Sequence, residues 1–226
     1  LTFIALSELL SKTEVIMTDA IVFLGIQGSG KGTQAGLLAQ RMCFQHINIG
    51  DLLRQEVSIG SAVGDAVGHI IERGDLVKDT IVFDMIDTSV EPGCKGIIFD
   101  GFPRTLSQAE HLVEHYNLIQ VYYLELSEED AIHRIEGRLV CTNCGENYHT
   151  QHKPPSVPGI CDICGSALAT RADDEPEAIA KRVKAFYERT FILKSFFEKR
   201  DSITSIPACK SVEEIQELIL EDISKR

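Results

Sequence analysis

Positive charge is in short supply. Lys and Arg number 22 against 34 Asp and Glu, a net charge of −12. That balance argues against a general nucleic-acid or anionic-membrane surface. Long apolar runs are also missing. No stretch reaches 18 apolar residues, so no membrane span is expected. Leu1 to Leu10 are partly apolar, but they lack a basic n-region, Glu8 interrupts them and no clean small-residue cleavage site follows. Met17 sits just before the first apolar run, and residues 1–16 are expected to form an extension outside the fold. Internal repeats and low-complexity tracts are absent. What remains has ordinary globular composition and the length, 226 residues, of one large domain or one core with insertions.

The chain is organised around Gly25-Ile26-Gln27-Gly28-Ser29-Gly30-Lys31-Gly32-Thr33. Ala20 to Leu24 before it form an unbroken apolar run, too short for a helix and suited to a strand buried on both faces. Thr33 to Arg41 after it read as helix. In a strand–glycine loop–helix arrangement the glycines let backbone N–H groups turn inward, and the helix N-terminus adds its positive dipole end. Lys31 adds a point charge, which completes a phosphate cradle. The strict P-loop pattern puts Ser or Thr directly after the Lys. Here Gly32 intervenes and the hydroxyl arrives at Thr33. The plain alternative is a glycine-rich turn with no ligand.

Downstream, Gln45–Ile49 reads as a second strand and Asp51 as the N-cap of a helix starting at Leu52. Residues 50–78 read as a helical insertion and 80–90 as a further helix. Gly96–Asp100 is an apolar strand ending in an acid, the shape of a Walker-B element, placed where phosphate and magnesium collect. Residues 108–116 read as helix and Val121–Leu126 as strand. Ser127 caps a short helix, on which Arg134 and Arg138 are expected to share one face. Asp174-x-x-Glu177 opens a long helix, with Pro176 tolerated in its first turn. Its apolar face is expected to run through Ile179, Val183, Phe186, Tyr187 and Phe191. Residues 203–206 and 212–223 supply the last strand and helix. Alternating strands and helices predict an α/β fold with a doubly wound sheet.

Seven cysteines are present, four of them in two C-x-x-C pairs. Cys141, Cys144, Cys161 and Cys164 match the spacing of a four-cysteine zinc site, in a reducing compartment rather than a disulfide framework. His149 and His152 are competing ligands, and a disulfide pair or free thiols are the plain alternative. Cys43, Cys94 and Cys209 are expected to be small apolar fillers. Lys31, Arg54, Arg104, Arg134, Arg138, Arg171 and Arg182 fall beside motifs or insertion borders. Such cations suit phosphoryl transfer, which needs positioning and charge stabilisation more than covalent help.

Taken together, the chain resembles the adenylate kinases, in their long form with a zinc-binding lid. The likeness runs from about Ile21 to the C-terminus. It is carried by Gly25–Thr33, Gly50-Asp51-Leu52-Leu53-Arg54, Asp100-Gly101-Phe102-Pro103-Arg104-Thr105 with Gln108, Arg134-Ile135-x-Gly137-Arg138, the four paired cysteines and Thr170-Arg171-Ala172-Asp173-Asp174. The resemblance implies a P-loop NTPase-type parallel sheet flanked by helices within residues 17–226. It implies two insertions that close over the substrates: an NMP-binding insertion at 48–77 and a zinc lid at 138–175. It also implies the reaction ATP + AMP to two ADP with Mg²⁺. Gly28, Ser29, Gly30, Lys31, Gly32 and Thr33 would hold ATP phosphates, with Arg134 on the ATP base, Arg138 nearby and Lys210 touching the base through its backbone. Ile49, Arg54, Val77, Gly101, Arg104, Gln108, Arg171 and Arg182 would bind AMP. Lys31, Arg104, Arg138, Arg171, Arg182 and Asp173 would form the catalytic set, and Asp100 with Thr33 would order the magnesium water shell. A cytoplasmic monomer acting on ATP and AMP is expected, with structural zinc and no nucleic-acid or membrane partner. The family usually has Thr or a small residue where this chain has Ile49, which keeps a UMP or CMP acceptor open. A nucleotide switch with a zinc ribbon is the non-enzyme alternative, but a switch has no need for a second cationic site at Arg54 and Arg104.

Overall fold

Apolar strands set the architecture of the computed structural model, which describes residues 17–171 and 173–226. The extension expected over residues 1–16 lies outside the described residues. Strand β1 (Asp19–Leu24), buried from Ala20 onward, runs through the glycine loop into α1 (Lys31–Met42). Strand β2 (Gln45–Asn48) passes without a linker into α2 (Ile49–Ile59), followed by α3 (Ala62–Glu72) and α4 (Asp79–Ser89). Next come β3 (Gly96–Asp100), α5 (Leu106–His115), β4 (Asn117–Glu125) and α6 (Glu128–Glu136). A small antiparallel sheet interrupts the alternation with β5 (Arg138–Cys141), β6 (Asn147–His149) and β7 (Leu168–Ala169). Helix α7 (Pro176–Ala185), a π turn (Phe186–Thr190) and α8 (Ile192–Glu198) lead to β8 (Ile203–Pro207) and α9 (Val212–Ile223).

The main sheet is parallel throughout, in the order β2-β3-β1-β4-β8. Strand order reverses around β1, and ligands of such sheets bind at the carboxyl ends of the strands flanking the reversal. Register places Asp100 beside Phe23 on one side and Asn48 on the other, at that edge. Side chains alternate between two apolar layers. Val22, Leu24, Phe99 and Tyr123 point to one layer with Leu112, Val183 and Leu193. Ile21, Phe23, Ile98 and Tyr122 point to the other, against Leu38 of α1 and Ile219 of α9. Among the described residues no helix is long and apolar enough to cross a membrane.

Several local expectations are corrected. Asn48, not Asp51, caps α2: its side chain accepts the Asp51 N–H at 3.1 Å, because the helix starts directly at the strand end. Arg134 and Arg138 do not share a helix face, because α6 ends at Glu136 and Arg138 opens β5. Glu175, without a side-chain bond, sits at the N-cap of α7. Asp174 is instead drawn to arginines. Ile179, Val183 and Phe186 are buried as expected, but Tyr187 and Phe191 are each 45% exposed, since the π turn rotates them out of the apolar face. Cys43 and Cys209 are exposed and do not fill the core, whereas Cys94 is half-buried and packs against it.

Candidate active site

The glycine loop wraps the carboxyl end of β1. Gly28 has φ 82°, and a Cβ there would stand 2.6 Å from the Ala131 carbonyl oxygen, so a side chain is excluded by strain and by space. A Cβ on Gly32 would lie 3.0 Å from Asp100 Oδ2. Thr33, which carries the hydroxyl one place after the usual motif position, is exposed on the next position of α1. Ser29 is fully buried and its Oγ has no partner. Lys31 Nζ folds back to donate to the Gly25 and Ile26 carbonyls at 2.8 and 2.9 Å. Enclosure in the cleft pulls its pKa from 10.5 down to about 8, against the pull of Asp100 and with the help of Arg104 and Arg138. Asp100 is buried at the end of β3 and its Oδ2 accepts from Asn48 Nδ2 at 2.8 Å.

Beyond β3, Arg104 is fixed from several sides. Its Nε donates to the Gly101 carbonyl at 2.8 Å and its N–H to Gln108 Oε1 at 2.7 Å. Gln108 Nε2 in turn donates to Asp79 Oδ1 at 2.7 Å, so both ends of that amide brace the protein. Enclosure depresses the Arg104 pKa, with Asp100 opposing and Arg54 and Arg182 adding to the effect. Arg54, on α2, contacts Asp51 Oδ1 at 2.5 Å and Asp173 Oδ2 at 3.5 Å. Ile49, Leu53 and Val77 are buried and form an apolar wall beside these cations.

The opposite rim comes from α6, the small sheet and α7. Arg134 Nη2 donates to the Ala208 carbonyl at 2.8 Å, and Lys210 stands exposed nearby, its Nζ 3.7 Å from Glu214. Arg138 grips Asp174 with both sides of its fork, Nε to Oδ2 at 2.8 Å and Nη2 to Oδ1. Arg182 reaches Asp173 Oδ2 at 3.1 Å and Asp174 Oδ1 at 3.5 Å. Arg171 donates to Asn147 Oδ1 at 2.8 Å and lies 3.6 Å from Asp51 Oδ1. Burial lowers the Arg171 pKa to about 10, with Arg54 and Arg138 adding to the effect and Asp51 and Asp173 opposing. Burial alone would raise Asp173, but Arg182, Arg54 and Arg171 hold its carboxyl below the usual range.

Gly28 to Thr33, Ile49, Arg54, Val77, Asp100, Gly101, Arg104, Gln108, Arg134, Arg138, Arg171, Asp173, Arg182 and Lys210 all line one cavity of about 540 Å³. Sequence reasoning missed Asn48, Asp79, Asn147 and Asp174, which hold those residues in place. Only Asp174 carried a signal, as half of an Asp-Asp pair among arginines, and its spacing to Glu177 pointed to a cap instead.

The four paired cysteines meet at the far end of the small sheet. Their sulfurs lie within 4.8 Å of one another. Cys141 to Cys164 is 3.4 Å and Cys144 to Cys161 is 3.6 Å. A disulfide needs about 2 Å, while thiolates about 2.3 Å from a tetrahedral ion stand roughly 3.8 Å apart. The donor set therefore fits a closed metal site. Gly145 and Gly165, both at φ 73°, make the turns that direct N–H groups back to sulfur, as with Asn143 and Cys144 N–H to Cys141 Sγ at 3.5 Å. His149 and His152 are not in the cluster; they stack on each other at 4.5 Å and line the cavity.

The family model described as Adenylate kinase matches residues 23–202. An adenylate kinase of Thermosipho africanus is 36% identical over 212 residues, covering 91% of this chain and 99% of the relative. One of Paracoccus denitrificans is 38% identical over 206 residues, covering 88% and 94%. One of Trichlorobacter lovleyi is 36% identical over 206 residues, covering 88% and 96%. The glycine loop, the acid-tipped β3 strand and the arginines around one cavity all fall inside the matched span, and the chain belongs to the adenylate kinase family.

Proposed function

We propose that the protein transfers a phosphoryl group reversibly between ATP and AMP, giving two ADP. One observation carries this reading. On a chain of net charge −12, Lys31, Arg54, Arg104, Arg138, Arg171 and Arg182 converge on a single cavity that has a phosphate loop at one end and an apolar wall at the other. The names of the relatives point the same way. ATP takes the loop, with Lys31 leaving its carbonyl partners for the phosphates and Arg134 and Lys210 at the base. AMP takes the side of Arg54, Arg104 and the Ile49–Val77 wall, with Gly101 and Gln108 supporting it. Arg138, Arg171 and Arg182 spread the charge of the moving phosphoryl, where fixed donors act without reorganising.

Magnesium bound with ATP would neutralise charge on the phosphate oxygens. Asp100 and Thr33, which line the same cavity, would supply oxygen groups that suit its water shell. Cys141, Cys144, Cys161 and Cys164 would hold zinc, which with four thiolates would supply folding energy rather than chemistry. Residues 48–77 and 138–175 act as covers on a core within 17–226. Their closure excludes the water that would otherwise accept the phosphoryl. The cleft is complete within one chain, which supports a monomer, and free paired thiols suit the cytoplasm.

Ile49 favours keeping a pyrimidine acceptor as the second reading, because a buried apolar side chain stands where a hydroxyl would otherwise help select the base. ADP formation from Mg-ATP with AMP, UMP, CMP and GMP, each against a no-acceptor control, separates the cases. AMP is expected to be fastest. A faster pyrimidine rate reassigns the acceptor, and a rate independent of any acceptor defeats the kinase reading.

A further inference from the structure

The π turn after α7 also changes which side chains face the cleft. On an uninterrupted α-helix each residue advances about 100°, so position 189 returns to the face that carries Arg182. The π turn, closed by the Phe191 N–H donating to the Phe186 carbonyl at 2.8 Å, inserts one residue into that register. Arg189 is therefore exposed, and Thr190 lines the cavity with Arg182 and Phe186 in its place. A helical Thr commonly returns its hydroxyl to the carbonyl four residues back. Here Thr190 Oγ1 donates to the carbonyl of Arg104, at 3.1 Å and 86 residues away in sequence.

From this geometry we infer that Thr190 is a positioning residue for Arg104, set in place by the π turn; the inference rests on the proposed role of Arg104 in holding AMP. Arg104 is then anchored at its N–H by Gln108, at its Nε by Gly101 and at its carbonyl by Thr190. The third anchor joins the Arg104 loop to the segment that carries Arg182, so the two guanidiniums keep a fixed spacing although they belong to different elements.

The test compares Thr190→Val, Thr190→Ser and Arg104→Ala by steady-state kinetics with both nucleotides varied, alongside thermal melting. Thr190→Val is expected to lower kcat/KM for AMP about tenfold, the scale of one lost hydrogen bond, with KM for ATP unchanged and the melting midpoint lowered by no more than a few degrees. Thr190→Ser, which keeps the hydroxyl, is expected to stay within about twofold of the parent. Parent-like kinetics in Thr190→Val would overturn the inference. So would an equal loss towards both nucleotides that the serine fails to restore. Full AMP turnover in Arg104→Ala would instead defeat the reading of the site itself. A dead Arg104→Ala beside an unaffected Thr190→Val would defeat the Thr190 inference alone.

Discussion

The cleft and the cysteine-bearing sheet are held together by different means. Around the cleft, two apolar layers bury whole strands, and Phe23, Phe99, Phe102 and Tyr122 are fully inside. In the small sheet the buried cluster is Cys141, Tyr148 and Cys161, with Leu139 and Leu168 packed against it. Each large side chain buried in the core contributes roughly 1.5–3 kcal/mol, so the core can stabilise itself. The small sheet has too little apolar surface to do so, and on the proposed reading a metal on its thiolates would supply the difference. The apolar core thus lies under the glycine loop, while the small sheet has a separate, smaller cluster. Segments of low local stability can open and close at little cost to the whole.

That contrast predicts opposite effects of substitution in the two regions. Lys31→Met should lower kcat/KM about 10³-fold by removing a fixed cation from the phosphates. It should leave the melting midpoint equal or higher, because a desolvated charge is removed with it; a lower midpoint would show that Lys31 is structural. Asp174→Asn should lower kcat about 10²-fold, since Arg138 and Arg182 lose the carboxylate that aims them. A change confined to KM would show that these arginines only bind.

Cys161→Ser, or removal of the bound metal by a chelator, should expose residues 138–175 to protease and lower activity about tenfold. The core melting transition should persist. Loss of that transition would mean that the two regions fold as one.

The smallest effect is in pH dependence. Lys31 in the free protein loses its proton near pH 8, so kcat/KM for ATP should fall above about pH 8, while kcat holds to higher pH because bound phosphates restore the charge. Stability should move the other way. Between about 8 and 10.5 the unfolded chain binds the proton more tightly than the folded one, so this group makes folding more favourable as pH rises through that window. A profile in kcat/KM that stays flat to pH 10 would place Lys31 outside the ATP site.

Much of this organisation was legible in the sequence where a local pattern has one physical solution. The Ala20–Leu24 run suits a doubly buried strand, the loop after it needs its glycines, and two C-x-x-C pairs have the spacing to close on one point. The readings that failed depended on tertiary partners. Asn48 caps α2 because β2 delivers it there, and no local pattern separates it from Asp51. Asp174 looks like a cap until Arg138 arrives from β5. Tyr187 and Phe191 fit a 3.6-residue stripe, and only the π turn, stabilised by packing around Phe186 and by Thr190, takes them out of it.

The central claim is that ATP and AMP occupy the cleft together and that the phosphoryl passes directly between them. Initial rates of ADP formation measured over a grid of ATP and AMP concentrations test it most directly. Double-reciprocal lines that intersect are predicted, because both substrates must be bound before transfer. Parallel lines, the mark of a phosphorylated protein intermediate, would contradict the account.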